Sequence, residues 1–152
     1  MSDVRRLASL SVDEIIKGTP ITKISDSDYL RKIQSSDKPA LVIFYINREE
    51  RSRNLATLIR YLALELCEQI NFFAYKVSEE IPVNQEAISR LKKDFNLERT
   101  PGTLFFNSRS GAKKGAYRLR KPIIIDYRTP SLFLWRRYYK VVAHYINRFF
   151  PM

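Results

Sequence analysis

Apolar positions along this chain follow two different rhythms. ALVIFYI (40–46) is continuous, the pattern of a strand buried on both faces. From about 51 to 69 the spacing changes. Leu55, Ile59, Leu62, Leu66 and Ile70 step by three or four, flanked by Leu58 and Ala63, which predicts an amphipathic helix. ITKIS (21–25), NFFAYKV (71–77) and GTLFFNS (102–108) read as further strands. Helices are expected over 3–17, ended by Gly18 with Pro20 beyond, and after a cap at Asp26 or Ser27, with Tyr29, Leu30 and Ile33 on one face. Two more are expected over Glu86–Phe95 and from Thr129–Pro130 to about 150. GAYRLR, after the turn at Gly111, is able to pair back as a hairpin, and PIIIDYRTP fits either a sheet extension or an edge segment. Strands that alternate with helices give an α/β sheet with helices on both faces.

Composition narrows the class. An apolar share of 45% and an aromatic share of 12% exclude a disordered chain. With one cysteine, Cys67, no intramolecular disulfide and no cysteine-based zinc site is available, and a reducing compartment is the expectation. No apolar run approaches a membrane span. The N-terminal stretch MSDVRRLASLSVDEIIKG has no secretory h-region and carries Asp3, Asp13 and Glu14, against a transit peptide. A cytoplasmic location is expected.

The ordered set of segments resembles the thioredoxin-like fold family. ITKISDSDYLRKIQSSDKPALVIFYI is similar to its opening, and LKKDFNLERTPGTLFF to its helix, turn, proline and strand. NSRSGAKKGAYR is similar to its closing hairpin, and DYRTPSLFLWRRYYKVV to its last helix. The resemblance implies a central mixed sheet of about 4–5 strands with helices on both faces, a closing antiparallel hairpin and a C-terminal helix. Residues 1–19 would be an N-terminal helical extension and 20–152 the thioredoxin-like domain.

The family's redox motif is a tryptophan followed by Cys-x-x-Cys. Laid on FYINREERSR, the tryptophan falls on Arg48 and the cysteines on Glu49 and Ser52. Disulfide exchange proceeds by thiolate attack on sulfur, and neither a carboxylate nor a hydroxyl forms the mixed disulfide. The acid that the family buries six residues before the first cysteine is Ile43 here. Cys67 lies on the apolar side of the helix, about 22 Å beyond Ser52 at the helical rise, and reads as an inert small hydrophobe. Glu49 and Glu50 suit the helix dipole and Ser52 is expected to cap. The turn is read either as a recognition loop or as an ordinary solvated turn. Dithiol-disulfide oxidoreductase activity is not expected.

Thr100–Pro101 matches the family's cis-proline position, where the backbone pairs with an extended chain. A peptide-binding groove there stands beside a plainer reading, a proline that shapes the turn. Gly102 adds a residue to the family pattern, which would bulge the strand or shift its register.

The net charge of +11 is concentrated at one end. Residues 105–152 hold 11 Lys and Arg against one acid, Asp126. Such asymmetry points to an acidic partner, and the competing reading is a solubility face. Arg136, Lys140, His144 and Arg148 recur every four residues, with Arg137 beside them. The hairpin adds Arg109, Lys113, Lys114, Arg118, Arg120 and Lys121, with Tyr117 among them. On the other side of the last helix, Trp135, Tyr138, Val142, Tyr145 and Phe149 are expected to pack, while Tyr139, Ile146 and Phe150 extend the apolar arc beyond what the domain covers. Two function classes follow. The first is a redox-inactive interaction module or complex subunit, an adaptor that presents its basic C-terminal surface to an acidic protein. The alternative is a nucleic-acid-associated, ribonucleoprotein-type protein that uses the same surface by charge and stacking. A membrane surface ranks below both. No cofactor, metal site or catalytic residue is expected: a lone histidine makes no triad, and four glycines leave no phosphate-binding loop.

Overall fold

The apolar run of the chain's first third becomes the middle of a five-stranded sheet. The computed structural model describes residues 9–25, 33, 38–81, 85–86, 89, 92–93, 101–106, 123–124 and 133–149. In chain order the elements are α1 (Val12–Ile16), β1 (Ile21–Ile24), β2 (Ala40–Ile46), α2 (Glu50–Leu66), β3 (Asn71–Ser78), β4 (Gly102–Phe106), β5 (Ile123–Ile124) and α3 (Phe133–Phe149). The strands lie in the order β1-β3-β2-β4-β5. β3 runs parallel to both β1 and β2, while β4 is antiparallel to β2 and β5 to β4. The segment PIIIDYRTP therefore supplies an edge strand. The helices expected over 27–36 and 86–95, and the GAYRLR hairpin, lie outside the described residues apart from scattered positions such as Ile33.

The pleat sorts the strand residues into two cores. Leu41, Ile43, Tyr45, Phe72, Ala74 and Phe105 face α1, α2 and α3. Val42, Phe44, Phe73, Leu104 and Phe106 face the other way and meet Ile24 and Ile33. Every residue of β2 is buried, because strands flank it and apolar groups cover both its faces. On α2, Leu55, Ile59, Leu62 and Leu66 are all buried, as their spacing predicts. Full burial of each such side chain stabilises by roughly 1.5–3 kcal/mol. Among the described residues, no helix is long and apolar enough to cross a membrane.

Of the helix expected over 3–17, residues 3–8 lie outside the described residues, and the rest is not one continuous helix. Ser9 and Leu10 form a turn, and α1 starts at a capping box. Ser11 Oγ accepts from the Glu14 amide at 3.3 Å, and the Glu14 carboxylate accepts from the Ser11 amide at 3.2 Å. Gly18 takes φ +74° just beyond the last turn, a conformation that favours glycine. Val12, Ile15 and Ile16 are buried in the same core as α2. Arg60 of α2 donates to the Ile15 carbonyl at 2.8 Å and so satisfies a helix-end acceptor.

The strands also differ from expectation at one point. The rungs from Gly102 opposite Phe44 to Phe106 opposite Ala40 run without a break, so Gly102 introduces no bulge into β4. The irregularity sits instead where β2 meets β3. Tyr45 pairs with Lys76 and Ile46 with Ser78, which leaves Val77 as the extra residue.

Candidate functional site

The degenerate motif occupies the turn from β2 into α2. Asn47 begins it, and every polar group of this residue is bonded. Its amide donates to Ser78 O at 2.9 Å, and its carbonyl accepts from the Val12 amide at 2.9 Å. Its side-chain Oδ1 accepts from the Asp13 amide at 2.8 Å, and its Nδ2 donates to Glu79 Oε2 at 2.8 Å. Arg48 follows with its side chain in solvent. Its ion pair to Glu80, at 3.6 Å between two exposed groups, contributes little.

Glu49 is the N-cap of α2, in extended backbone, and its side chain makes no capping bond. Burial pushes its carboxyl above the ordinary value, with Arg51 opposing. Ser52 was expected to cap, and it does not. It is fully buried, and its Oγ accepts from the Ile46 amide at 3.0 Å. The reason is the end of the ladder. The described β2–β4 rungs stop at Phe44, so the Ile46 N–H reaches past them and finds Ser52 as its acceptor. Ile43 is fully buried among apolar groups. Cys67 caps the far end of α2 and is partly buried.

A polar cluster that sequence reasoning missed lies against this turn. The Asp13 carboxylate accepts from Tyr45 Oη at 2.7 Å and pairs with Lys23 at 2.9 Å and Lys76 at 2.6 Å. Lys76 also pairs with Glu79. Burial works to raise the Asp13 carboxyl, but the hydrogen bonds from Lys76, Lys23 and Tyr45 outweigh it and hold it below its usual value. Burial likewise opposes charge on Lys76, and the bonds to Asp13 and Glu79 win, so its ammonium is held above the usual range. The Tyr45 hydroxyl is pushed up by burial and by its bond to Asp13. The cluster fastens α1 across the C-terminal ends of β2 and β3. Two signals pointed to part of it. Ser11-x-x-Glu14 is a capping-box pattern, and strand alternation puts Lys76 on the face of Phe72 and Ala74.

Of the predicted binding residues, Lys140, His144 and Arg148 stand exposed along one ridge of α3. Arg136 and Arg137 belong to the same helix. The other side of α3 is taken up by the protein itself. Val142 and Ile146 are buried, with Tyr138, Tyr145 and Phe149 packed against the core. Ile146 is therefore core rather than surplus apolar surface, whereas Tyr139 is 56% exposed. Pro101 is partly buried directly before β4. Thr100 and the hairpin residues Arg109, Lys113, Lys114, Arg118, Arg120 and Lys121 lie outside the described residues. Among the described residues, no group of His, Cys, Asp and Glu is arranged to hold a metal ion.

No protein-family model and no curated protein matches the chain. Solved structures do. The Trx4 domain of ERdj5 aligns with a TM-score of 0.53 at 15% identity, over 81% of this chain and 96% of that one. The fold is thioredoxin-like. Thioredoxin O2 from Arabidopsis thaliana, in its oxidized state, is similar over 83% of this chain and 94% of its own, with 16% identity and a TM-score of 0.44. This thioredoxin-like chain holds a single cysteine and so no Cys-x-x-Cys motif. At the equivalent turn it presents a half-buried carboxylate and a buried hydroxyl.

Proposed function

We propose that this thioredoxin-like protein is redox-inactive and works by binding, as an interaction module or complex subunit that offers its basic C-terminal surface to an acidic protein in the cytoplasm. The observation that carries the reading is the exposed ridge Lys140–His144–Arg148 on a helix whose opposite side is already committed to the core. Lys140 and Arg148 place two like charges on one side of the helix, and an acidic partner relieves their repulsion. The turn supports the negative half of the proposal. Ser52 and Asn47 have structural work there, and a hydroxyl cannot replace a thiolate.

The aromatic groups beside the ridge bear on the choice of partner. Tyr61 stacks on Tyr145 at 5.2 Å and on Phe149 at 5.9 Å, and Arg148 lies 5.8 Å from the Tyr61 ring centre. The faces of these three rings are engaged inside the protein, so among the described residues of α3 Tyr139 is the exposed ring left beside the ridge. The test is recovery of the native complex at low salt, with and without nuclease, from the wild type and from Lys140→Glu/Arg148→Glu. Reversal is expected to release a stoichiometric protein partner while the circular dichroism is unchanged. A complex that survives reversal, or that nuclease dissolves, overturns the reading.

A further inference from the structure

The exposed surface of α3 carries more than charge. Tyr139 lies three residues before Val142, which is 1% exposed, and in an unbroken helix the two would share one side. The backbone leaves helical geometry at the residue before it, Tyr138, with φ −116° and ψ 22°. Tyr139 is 56% exposed. One turn on, Ala143 is small and half-buried, so Tyr139 and Ala143 form a ledge beside the basic ridge. The rows 139–143 and 140–144–148 are adjacent i, i+4 rows of the kind that receive another helix.

The second row, two cations with a histidine between them, is arranged for a periodic partner. Successive members are about 6 Å apart along the axis, and Lys140 to Arg148 spans about 12 Å. Arg148 is held over the Tyr61 ring while its residue stays exposed, so part of the entropy of fixing its guanidinium is already lost. Among the described residues none of the three makes an ion pair.

We infer that α3 docks an acidic amphipathic helix of a partner protein, with carboxylates repeating every fourth residue against Lys140, His144 and Arg148 and one large apolar side chain seated on Tyr139 and Ala143. This rests on the acidic-partner reading above and names the shape of that partner. A partner helix with this repeat matches the spacing of the ridge for the same geometric reason that the ridge exists. An unstructured acidic tail satisfies the charge but has no use for the ledge.

The probes are two alanine-rich peptides of identical composition, titrated against the full chain by calorimetry. One places glutamates every fourth residue with a leucine on the adjoining row; the other scatters the same residues. The periodic peptide is expected to bind at least about tenfold tighter. Tyr139→Ala, at an exposed site, is expected to remove about tenfold of that affinity. Arg148→Lys, which keeps the charge and loses the planar fork, is expected to weaken the periodic peptide more than the scattered one. Equal binding of both peptides, abolished by Lys140→Glu/Arg148→Glu, overturns the helical partner and leaves the acidic-partner reading standing. Binding of a single-stranded oligonucleotide but neither peptide overturns both. Binding of none of the three overturns the helix inference.

Discussion

Replacing Ser52 by alanine isolates the hydroxyl that stands where the fold family carries a cysteine. The side chain is fully buried, and the Ile46 amide that it serves belongs to a residue only 2% exposed. Without Oγ that N–H loses the acceptor it has among the described residues. The vacated space, a single oxygen, is too small for a water molecule. Leaving a buried donor unsatisfied costs about 1–3 kcal/mol, so about 2 kcal/mol is expected. In a chain of this length that lowers the thermal midpoint by about 4–8 °C. Urea unfolding reads it directly, as a shift in midpoint at constant slope. Hydrogen exchange at the Ile46 amide adds a local reading, and exchange there should accelerate more than at neighbouring amides of β2. Ser78→Ala is the control. Its hydroxyl donates to Glu80 O at the surface, and its loss is expected to stay within about 0.5 kcal/mol. Ser52→Cys keeps a side chain of similar shape but offers a weak acceptor, and should fall between wild type and alanine. A loss below about 0.5 kcal/mol for Ser52→Ala would refute the reasoning, since the Ile46 N–H would then not depend on Ser52.

Further outcomes follow from the same region. Glu49→Ser should stabilise by about 0.5–1 kcal/mol in urea unfolding, because it adds a capping oxygen and removes a carboxylate that burial disfavours. Asp13→Asn should cost about 2 kcal/mol at neutral pH. Because the Asp13 carboxyl is held below its ordinary 3.8, its contribution is present above that pH and is lost as the pH falls through the folded value; stability measured against pH should therefore show the two proteins converging in acid. Ile15→Ala should cost about 2–5 kcal/mol by thermal unfolding, a penalty that a loosely attached N-terminal segment would not show. Wild type and Cys67→Ser are both expected to leave insulin reduction at background; reduction by the wild type that this change abolishes would refute the redox-inactive reading.

The sheet was legible because its strands announce themselves locally. ALVIFYI could only be a strand with both faces covered, and the spacing from Leu55 to Leu66 could only be one side of a helix. The vacant redox motif was legible because residue identity alone settles whether a thiol is present. What escaped was the work done by the residues that replaced it. Ser52 at a helix start suggests a cap, and nothing local reveals that the described β2–β4 rungs end at Phe44 and that the Ile46 N–H turns to Ser52. The Asp13 cluster escaped for a different reason. Asp13, Tyr45 and Lys76 are more than thirty residues apart from one another in sequence, and only the order β3 beside β2, with α1 laid over both, brings them together. Ile146 was misjudged because the apolar arc of α3 was weighed against the sheet alone, whereas α2 supplies a second wall in Tyr61 and its neighbours.

The turn and the ridge differ in how far the fold already uses their residues. A redox turn needs a sulfur that an external disulfide can reach, with a backbone free to accept the mixed disulfide. Here the turn is tied down on both sides. Asn47 is bonded to α1 and to the end of β3, and Ser52 points inward to β2. An incoming chain would have to displace contacts that the fold itself uses. The ridge on α3 is in the opposite situation. Its members make no ion pair among the described residues, its helix is anchored from behind by Val142 and Ile146, and Arg148 is already steadied by a ring. Occupying it breaks nothing, and neutralising its repulsion favours the complex. On the proposed reading, binding at α3 would displace fewer of the fold's own contacts than binding at the turn, which is the physical reason for seeking the partner there rather than where the family keeps its sulfur.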